Sequence, residues 1–159
     1  MKYREFLFTA FYSGYSPVLP GTAGTLVAMA IYILEYAAFG NYSRIVNVLA
    51  VVFFSYPAIK LCGEGEKHFG VKDPPQVVID EVFGYWISVL FYPFSMKIVV
   101  AAFFLFRLLD ILKPYPISRL ERISGGAGIF IDDCIAGLYT NIIIFIFIAI
   151  LGSFDISMI

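Results

Sequence analysis

Histidine, cysteine and charge are all scarce in this 159-residue chain, and each scarcity excludes a class of function. The single histidine, His68, excludes mechanisms that need a pair of histidines. The two cysteines, Cys62 and Cys134, lie far apart in the chain and match neither a metal-binding spacing nor a disulfide framework. A net charge of −1 provides no bulk field that would attract nucleic acid, so no nucleic-acid partner is expected.

The chain is rich in apolar residues and poor in charged ones. The chain is 60% hydrophobic and 14% charged, whereas soluble domains have about 45–50% apolar and about 25% charged residues. The outer surface therefore needs lipid as its solvent, and the 18% aromatic content is suited to the headgroup layer. The length predicts a single membrane-embedded domain over residues 1–159.

Five apolar segments alternate with polar, glycine- and proline-rich stretches. The segments cover residues 24–39, 45–59, 77–92, 98–112 and 129–151. Their continuous apolar runs favour helices over a barrel, whose strands alternate. Several are shorter than the roughly 20 residues of a full span, and the third could be a partial helix covered by its neighbours. We expect an all-α integral membrane bundle of about five membrane-embedded helices, some of them short.

Basic residues predict the orientation of this bundle. If five helices alternate across the bilayer, the N-terminus and two long polar loops, Lys60–Gln76 and Lys113–Gly128, share one side. That side holds nine of the eleven basic residues: Lys2, Arg4, Lys60, Lys67, Lys72, Arg107, Lys113, Arg119 and Arg122. The positive-inside rule makes it cytoplasmic. Most acidic residues fall there too, and because acids contribute little to topology, a functional reason is expected.

Two carboxylate pairs, Asp80-Glu81 and Asp132-Asp133, each lie near the start of an apolar segment. Stabilisation by the helix dipole is the simpler explanation of each pair alone. Together, however, adjacent carboxylates repel and are costly to keep charged at the edge of a bilayer. A divalent cation relieves both problems, and oxygen ligands without histidine or cysteine favour Mg²⁺ or Mn²⁺. We therefore expect these four side chains to be metal ligands.

A basic stripe precedes the second loop. Arg107, Asp110 and Lys113 recur every three residues and share one helical face, and Pro114 ends the helix. Arg107–Asp110 could be a plain ion pair and Lys113 a snorkelling anchor. The functional interpretation is that Lys113 or Arg107 neutralises an anionic group such as phosphate.

Two small-residue stretches provide weaker signals. The glycine-rich turn around Gly126 could bring backbone N–H groups to an anion at a helix start, although a flexible turn is a simpler explanation. Thr22 or Thr25 could cap the first long helix, or their hydroxyls could contact substrate. His68 is expected to be a solvated loop residue, with a proton shuttle as the alternative.

Four motifs stand in order along the chain: S-x-x-x-P-G-T-x-G-T at Ser16–Thr25, D-P-x-x-x-V-I-D-E-x-x-G-x-W-I at Asp73–Ile87, F-R-x-x-D-x-x-K-P-x-P-I at Phe106–Ile117 and G-G-x-G-I-x-x-D-D-x-x-A-G at Gly125–Gly137. In this order they resemble the phosphatidylglycerophosphatase A family. The resemblance implies an all-helical enzyme of the bacterial inner membrane. Such an enzyme uses Mg²⁺ to remove the terminal phosphate of phosphatidylglycerophosphate, releasing phosphatidylglycerol and phosphate.

Combined with the residues above, this resemblance predicts metal-assisted hydrolysis at the cytoplasmic face. The expected metal ligands are Asp80, Glu81, Asp132 and Asp133, and the expected catalytic residues are Asp80, Glu81, Asp110, Asp133 and Glu64. Lys113 and Arg107 would bind the phosphate, with Thr22, Thr25 and Gly126 as further substrate contacts. Asp110 or Glu64 would activate the attacking water, and a phospho-aspartyl intermediate is the alternative route.

Two functions from other classes stay open at this point. A small cation transporter would line its path with intramembrane carboxylates, and it would show ion flux without lipid hydrolysis. A non-catalytic membrane scaffold would need no such cluster. Lipid phosphatases with a histidine nucleophile need a second histidine, and CDP-alcohol phosphotransferases need an Asp-Gly pair that this sequence lacks. The sequence leaves the oligomeric state undecided.

Overall fold

The computed structural model describes residues 2–120 and 123–153, and within these ranges the chain is all-helical, without a strand. Its α-helices are α1 (Lys2–Phe8), α2 (Pro20–Phe39), α3 (Ser43–Phe69), α4 (Ile79–Ser88), α5 (Met96–Leu112), α6 (Ile117–Leu120) and α7 (Gly126–Ser153). Short 3₁₀ turns at Ser13–Tyr15 and Gly40–Tyr42 connect the first three. The all-α prediction is confirmed.

The start of α2 differs from the expectation of a threonine cap. The helix begins at Pro20, whose fixed backbone angle suits the first helical position, and no side chain caps it. The Thr25 hydroxyl instead donates to the carbonyl oxygen of Gly21 at 2.9 Å, inside the helix. The prediction of Thr22 or Thr25 as a cap is therefore wrong, because proline already supplies the start signal.

The predicted polar loop Lys60–Gln76 is wrong over its first ten residues, since α3 continues to Phe69. One face of this extension is buried through Cys62 and Gly65, while Lys60, Lys67 and His68 are exposed. Helix formation is thus driven by an amphipathic face that a scan for long apolar runs misses. Gly70, in the left-handed conformation at φ 70°, ends the helix.

The short helix α4 packs against α7, α2 and α3 at the centre of the protein. Ten residues rise only about 15 Å, which is half of a membrane's hydrocarbon thickness. Where α4 meets α7, a Cβ on Gly84 would lie 2.8 Å from the carbonyl oxygen of Asp133, and one on Gly137 would overlap the carbonyl oxygen of Gly84. The backbones of α4 and α7 are therefore in direct contact.

A side chain of α7 completes the C-terminal end of α4. The amide nitrogen of Asn141 donates to the carbonyl oxygens of Ile87, Ser88 and Leu90 at 3.1, 3.2 and 2.9 Å. The Ile87 carbonyl also accepts from the Leu90 N–H at 3.2 Å, so Asn141 adds to the hydrogen bonds that satisfy this helix end. The middle and the end of α4 are thus both fixed against the same helix.

Two helical stretches of the described chain are long and apolar enough to cross a membrane. They are Pro20–Phe69, which contains α2 and α3, and Gly126–Ile150 in α7. Only 17% and 28% of their most apolar windows are buried within the protein. Most of this apolar surface therefore faces outward, unlike that of a core helix in a soluble domain.

Candidate active site

A cavity of about 340 Å³ opens where the N-terminal ends of α2, α4 and α7 meet the C-terminal end of α5. Leu19, Pro20 and Gly21 form one wall, and the loop before α4 forms another. The charged residues in its lining are six carboxylates and two basic side chains: Asp73, Asp80, Glu81, Asp110, Asp132, Asp133, Arg107 and Lys113. The structure thus brings together both predicted carboxylate pairs and the basic stripe.

Asp80, Glu81 and Asp133 form the centre of this cavity. One carboxylate oxygen from each lies within 4.8 Å of the others. Asp80 and Asp133 are only 5% and 4% exposed. The Oε2 atom of Glu81 is buried without a hydrogen-bond partner. Three carboxylates so close together in a buried site repel strongly unless protons or a cation neutralise them.

The pKa values of the two carboxyl groups at the start of α4 are raised by burial and by this crowding. Burial, reinforced by the Glu81 carboxylate, raises the pKa of Asp80 well above its usual range. Burial and the nearby Asp133 raise the pKa of Glu81 to about 8. Both groups lie outside the two stretches long enough to span a membrane. A bound cation would replace these protons.

Arg107 connects three helices at the cavity. Its Nη1 atom lies 2.7 Å from Asp110 Oδ2 and 3.9 Å from Glu81 Oε1, and it donates to the Thr25 hydroxyl at 3.5 Å. The Arg107–Asp110 ion pair, considered above as the alternative to phosphate binding, is present. Because the pair lines the cavity, it also holds a guanidinium beside the carboxylate cluster.

Lys113 ends α5 and reaches α7. Its backbone is left-handed at φ 41°, which turns the chain out of the helix. Its Nζ atom lies 3.0 Å from Asp132 Oδ2. Asp132 therefore pairs with a lysine, while its neighbour Asp133 faces Asp80 and Glu81. The two members of this pair occupy different environments because adjacent side chains diverge by about 100° around a helix.

Four other predicted residues lie outside the cavity lining, and one of them, Thr25, is fully buried in α2 beside Arg107. Glu64 forms an ion pair with Arg4, and both line a separate surface cavity of about 260 Å³ together with His68. Thr22 is half-buried in α2 outside the cavity lining. Gly126 contacts α3, because a Cβ there would overlap the carbonyl oxygen of Ile59. The structure gives this glycine a packing role.

Two lining residues were missed as site residues. Asp73 lies in the loop before α4 with a left-handed backbone at φ 49° and adds a sixth carboxylate. A Cβ on Gly21 would overlap Glu81 Oε1 and lie 3.0 Å from Arg107 Nη2, so a larger residue would displace the ends of these two side chains. Their motifs contained both residues, but an aspartate before proline and a glycine after proline are also ordinary turn signals.

The lining is chemically suited to a hard divalent cation. It offers oxygen ligands without histidine or cysteine, an excess of negative charge, and an unpaired buried oxygen on Glu81. Two basic side chains beside such a cluster provide complementary sites for an anion. The fold and the cavity therefore define a helical membrane protein with a site of the kind used to hydrolyse phosphate esters.

Comparison with known proteins identifies the family. The family model described as Phosphatidylglycerophosphatase A matches residues 6–148. A protein of Bacteroides thetaiotaomicron, provisionally named a phosphatidylinositol-3-phosphatase, is 40% identical over 86% of this chain and 87% of its own. Phosphatidylglycerophosphatase A of Escherichia coli is 38% identical over 83% and 76%, and that of Haemophilus influenzae is 34% identical over 87% and 85%. No solved structure gives a significant match.

The chain belongs to the phosphatidylglycerophosphatase A family. It is a phosphatase, that is, a phosphoric monoester hydrolase, and a membrane protein. The resemblance drawn from the four motifs is confirmed.

Proposed function

We propose that this protein dephosphorylates phosphatidylglycerophosphate to phosphatidylglycerol and phosphate in phospholipid biosynthesis, with Mg²⁺ as its cofactor. The observation that carries the proposal is the cluster of Asp80, Glu81 and Asp133 in one cavity with Arg107 and Lys113. The names of two relatives, 38% and 34% identical, support the choice of lipid.

The reaction is placed at the cytoplasmic face of the bacterial inner membrane. In this proposal α2, α3, α4, α5 and α7 are the membrane-embedded helices, and α4 enters the bilayer only part of the way. The distribution of basic residues supports this orientation. The rim of the cavity supports it too, because Leu19 and Ile111 line the cavity and are 61% and 65% exposed. An apolar rim around a charged cavity is suited to the boundary between acyl chains and headgroups.

Asp80, Glu81 and Asp133 would hold the cation, and Asp132 would adjust the position of Lys113. When bound, the cation supplies positive charge to the phosphate oxygens and lowers the pKa of a coordinated water. Arg107 and Lys113 bind the phosphoryl oxygens and stabilise the charge that develops on them. Both side chains are held in place by ion pairs, to Asp110 and Asp132 respectively.

We assign Asp110 the role of the general base that activates the attacking water. It lines the cavity and is oriented by Arg107, whereas Glu64 pairs with Arg4 in another cavity. The water oxygen forms a bond to phosphorus, and the bond from phosphorus to the glycerol oxygen breaks. Asp110 accepts the proton of the water, and the proton returns to the departing glycerol oxygen. A phospho-aspartyl route would instead leave acid-stable labelled protein after a brief reaction with labelled substrate.

Phosphate release by the purified protein tests this proposal. We expect release from phosphatidylglycerophosphate in mixed micelles when Mg²⁺ is present and none when it is chelated. Phosphatidylinositol 3-phosphate should be compared in parallel, because one relative is named as a phosphatidylinositol-3-phosphatase. Faster hydrolysis of the inositol lipid would overturn the proposed substrate. Ion flux through proteoliposomes without any hydrolysis would favour a transporter.

A further inference from the structure

We propose that the apolar groove between α5 and α7 binds one acyl chain of the lipid whose phosphate occupies the acidic cavity. This inference rests on the proposed function and adds a determinant of chain length to it. The groove encloses about 520 Å³ and is lined on α5 by Ile98, Ala101, Phe104 and Leu108. Its lining is almost entirely apolar, as an acyl chain requires.

A single face of α5 connects the groove to the acidic cavity. Ala101, Phe104, Leu108 and Ile111 are spaced by three, four and three residues, so they run straight along the helix. Phe104 and Leu108 line the groove, and Ile111, one turn further, lines the acidic cavity. A ligand with its phosphate among the carboxylates therefore meets this apolar face where it leaves the cavity.

No helix of the described chain covers this face. Phe104, Leu108 and Ile111 are 66%, 53% and 65% exposed. The opposite wall of the groove is formed by α7 through Ile143, Ile144, Phe147 and Ile148. The groove therefore opens sideways toward the surrounding lipid, and a chain can enter it without crossing the protein.

The length of the groove is suited to one leaflet. From Ile98 to Leu108, ten residues rise about 15 Å along α5. This is half of the roughly 30 Å hydrocarbon thickness of a bilayer. A long acyl chain that starts at Ile111 would reach Ala101, whereas a six-carbon chain would end near Leu108.

An obstructing substitution tests the groove. Ala101 lies about 15 Å from Ile111 along the helix, so Ala101→Trp blocks only the distal part and leaves the acidic cavity unchanged. The matched control is Ala37→Trp, which places the same side chain on the exposed face of α2, outside the lining of the groove and of the cavity. Both proteins are assayed in mixed micelles with dioleoyl and dihexanoyl phosphatidylglycerophosphate.

The readout is the ratio of kcat/KM for the long-chain lipid to kcat/KM for the short-chain lipid. We expect Ala101→Trp to lower this ratio about tenfold and Ala37→Trp to leave it unchanged. An unchanged ratio in Ala101→Trp would overturn the inference. This includes an equal loss of kcat/KM on both lipids, which is expected if the groove instead joins two copies of the chain. Lack of hydrolysis of either lipid by the wild-type protein would instead refute the proposed function.

A second variant keeps the test decisive if Ala101→Trp does not accumulate as folded protein. Phe104→Ala removes part of the groove wall without adding bulk. It should raise KM for the dioleoyl lipid a few-fold and leave KM for the dihexanoyl lipid unchanged. If Phe104→Ala had the same KM as the wild type for each of the two lipids, acyl-chain binding in the groove would be contradicted.

Discussion

Gly84 of α4 and Gly137 of α7 meet backbone to backbone, because a Cβ on Gly137 would overlap the Gly84 carbonyl oxygen and lie 3.0 Å from its carbon. Each glycine lies four residues, or about one turn, after a carboxylate of the cluster, Asp80 and Asp133 respectively. Four residues further along each helix, Asn141 of α7 contacts Ser88 of α4. The two helices therefore run in the same direction, and this contact sets the distance between the carboxylates.

Replacing Gly137 by alanine should separate α4 from α7. We expect Gly137→Ala to destabilise the protein by about 1–3 kcal/mol, because the new methyl group has no space, and to abolish most phosphate release. Thermal unfolding in detergent and the phosphatase assay measure the two effects.

Gly63→Ala is the control for that change. A Cβ on Gly63, in α3, would meet its nearest neighbour at 3.4 Å, an ordinary contact distance. Its melting temperature and activity should match those of the wild type. Equal behaviour of Gly63→Ala and Gly137→Ala would show that close contact of α4 and α7 is not needed.

Lys113 is predicted to bind the phosphate. Lys113→Gln should lower kcat/KM about 100-fold, as removal of one donor to a developing anion does elsewhere, and also weaken the contact to Asp132. Lys60→Gln removes an exposed lysine of α3, next to Tyr56, and should leave activity unchanged. Steady-state kinetics that are equal for the two variants would exclude Lys113 from substrate binding.

Mg²⁺ affinity should depend on pH. A pKa of about 8 means that Glu81 carries a proton at pH 6 in the metal-free protein. The cation binds the carboxylate only after that proton leaves. The concentration of Mg²⁺ that gives half-maximal activity should therefore fall as the pH rises from 6 to 8. A constant value over this range would show that the carboxylates are already ionised without metal.

Asp110 and Glu64 were equal candidates for activating water on the sequence alone, and they line different cavities. Asp110→Asn should lower kcat by about 10²–10⁴-fold, the usual range for a general base. Glu64→Gln should change kcat little, because Glu64 pairs with Arg4 away from the acidic cavity. Kinetics showing the larger loss in Glu64→Gln would reverse this assignment.

The charged residues of the site could be predicted from the sequence more accurately than the ends of the helices. Asp80, Asp133 and Lys113 could be found because charged side chains in an apolar chain are conspicuous. The extension of α3 to Phe69 could not, since its only fully buried residues are Cys62 and Gly65, which form no long apolar run. The role of Gly126 could not be predicted either, because a glycine turn looks the same whether it faces a phosphate or another helix.

The location of Asp73 shows a further limit. Its place in the same cavity as Asp80 and Asp132 depends on how the loop before α4 packs against α2 and the segment before it. Such contacts join residues that are distant in sequence and carry no periodic pattern. The local pattern therefore indicated one charged pair in the first turn of α4 and one in the second turn of α7, but not a carboxylate in a loop.

The most direct test of the account is phosphate release from phosphatidylglycerophosphate by Asp133→Asn at saturating Mg²⁺, compared with the wild type. The substitution keeps the size of the side chain and removes one charge from the cluster of Asp80, Glu81 and Asp133. We predict a loss of at least about 100-fold in kcat with an unchanged melting temperature. Wild-type activity in this variant would contradict the claim that the carboxylates of α4 and α7 together hold the catalytic cation.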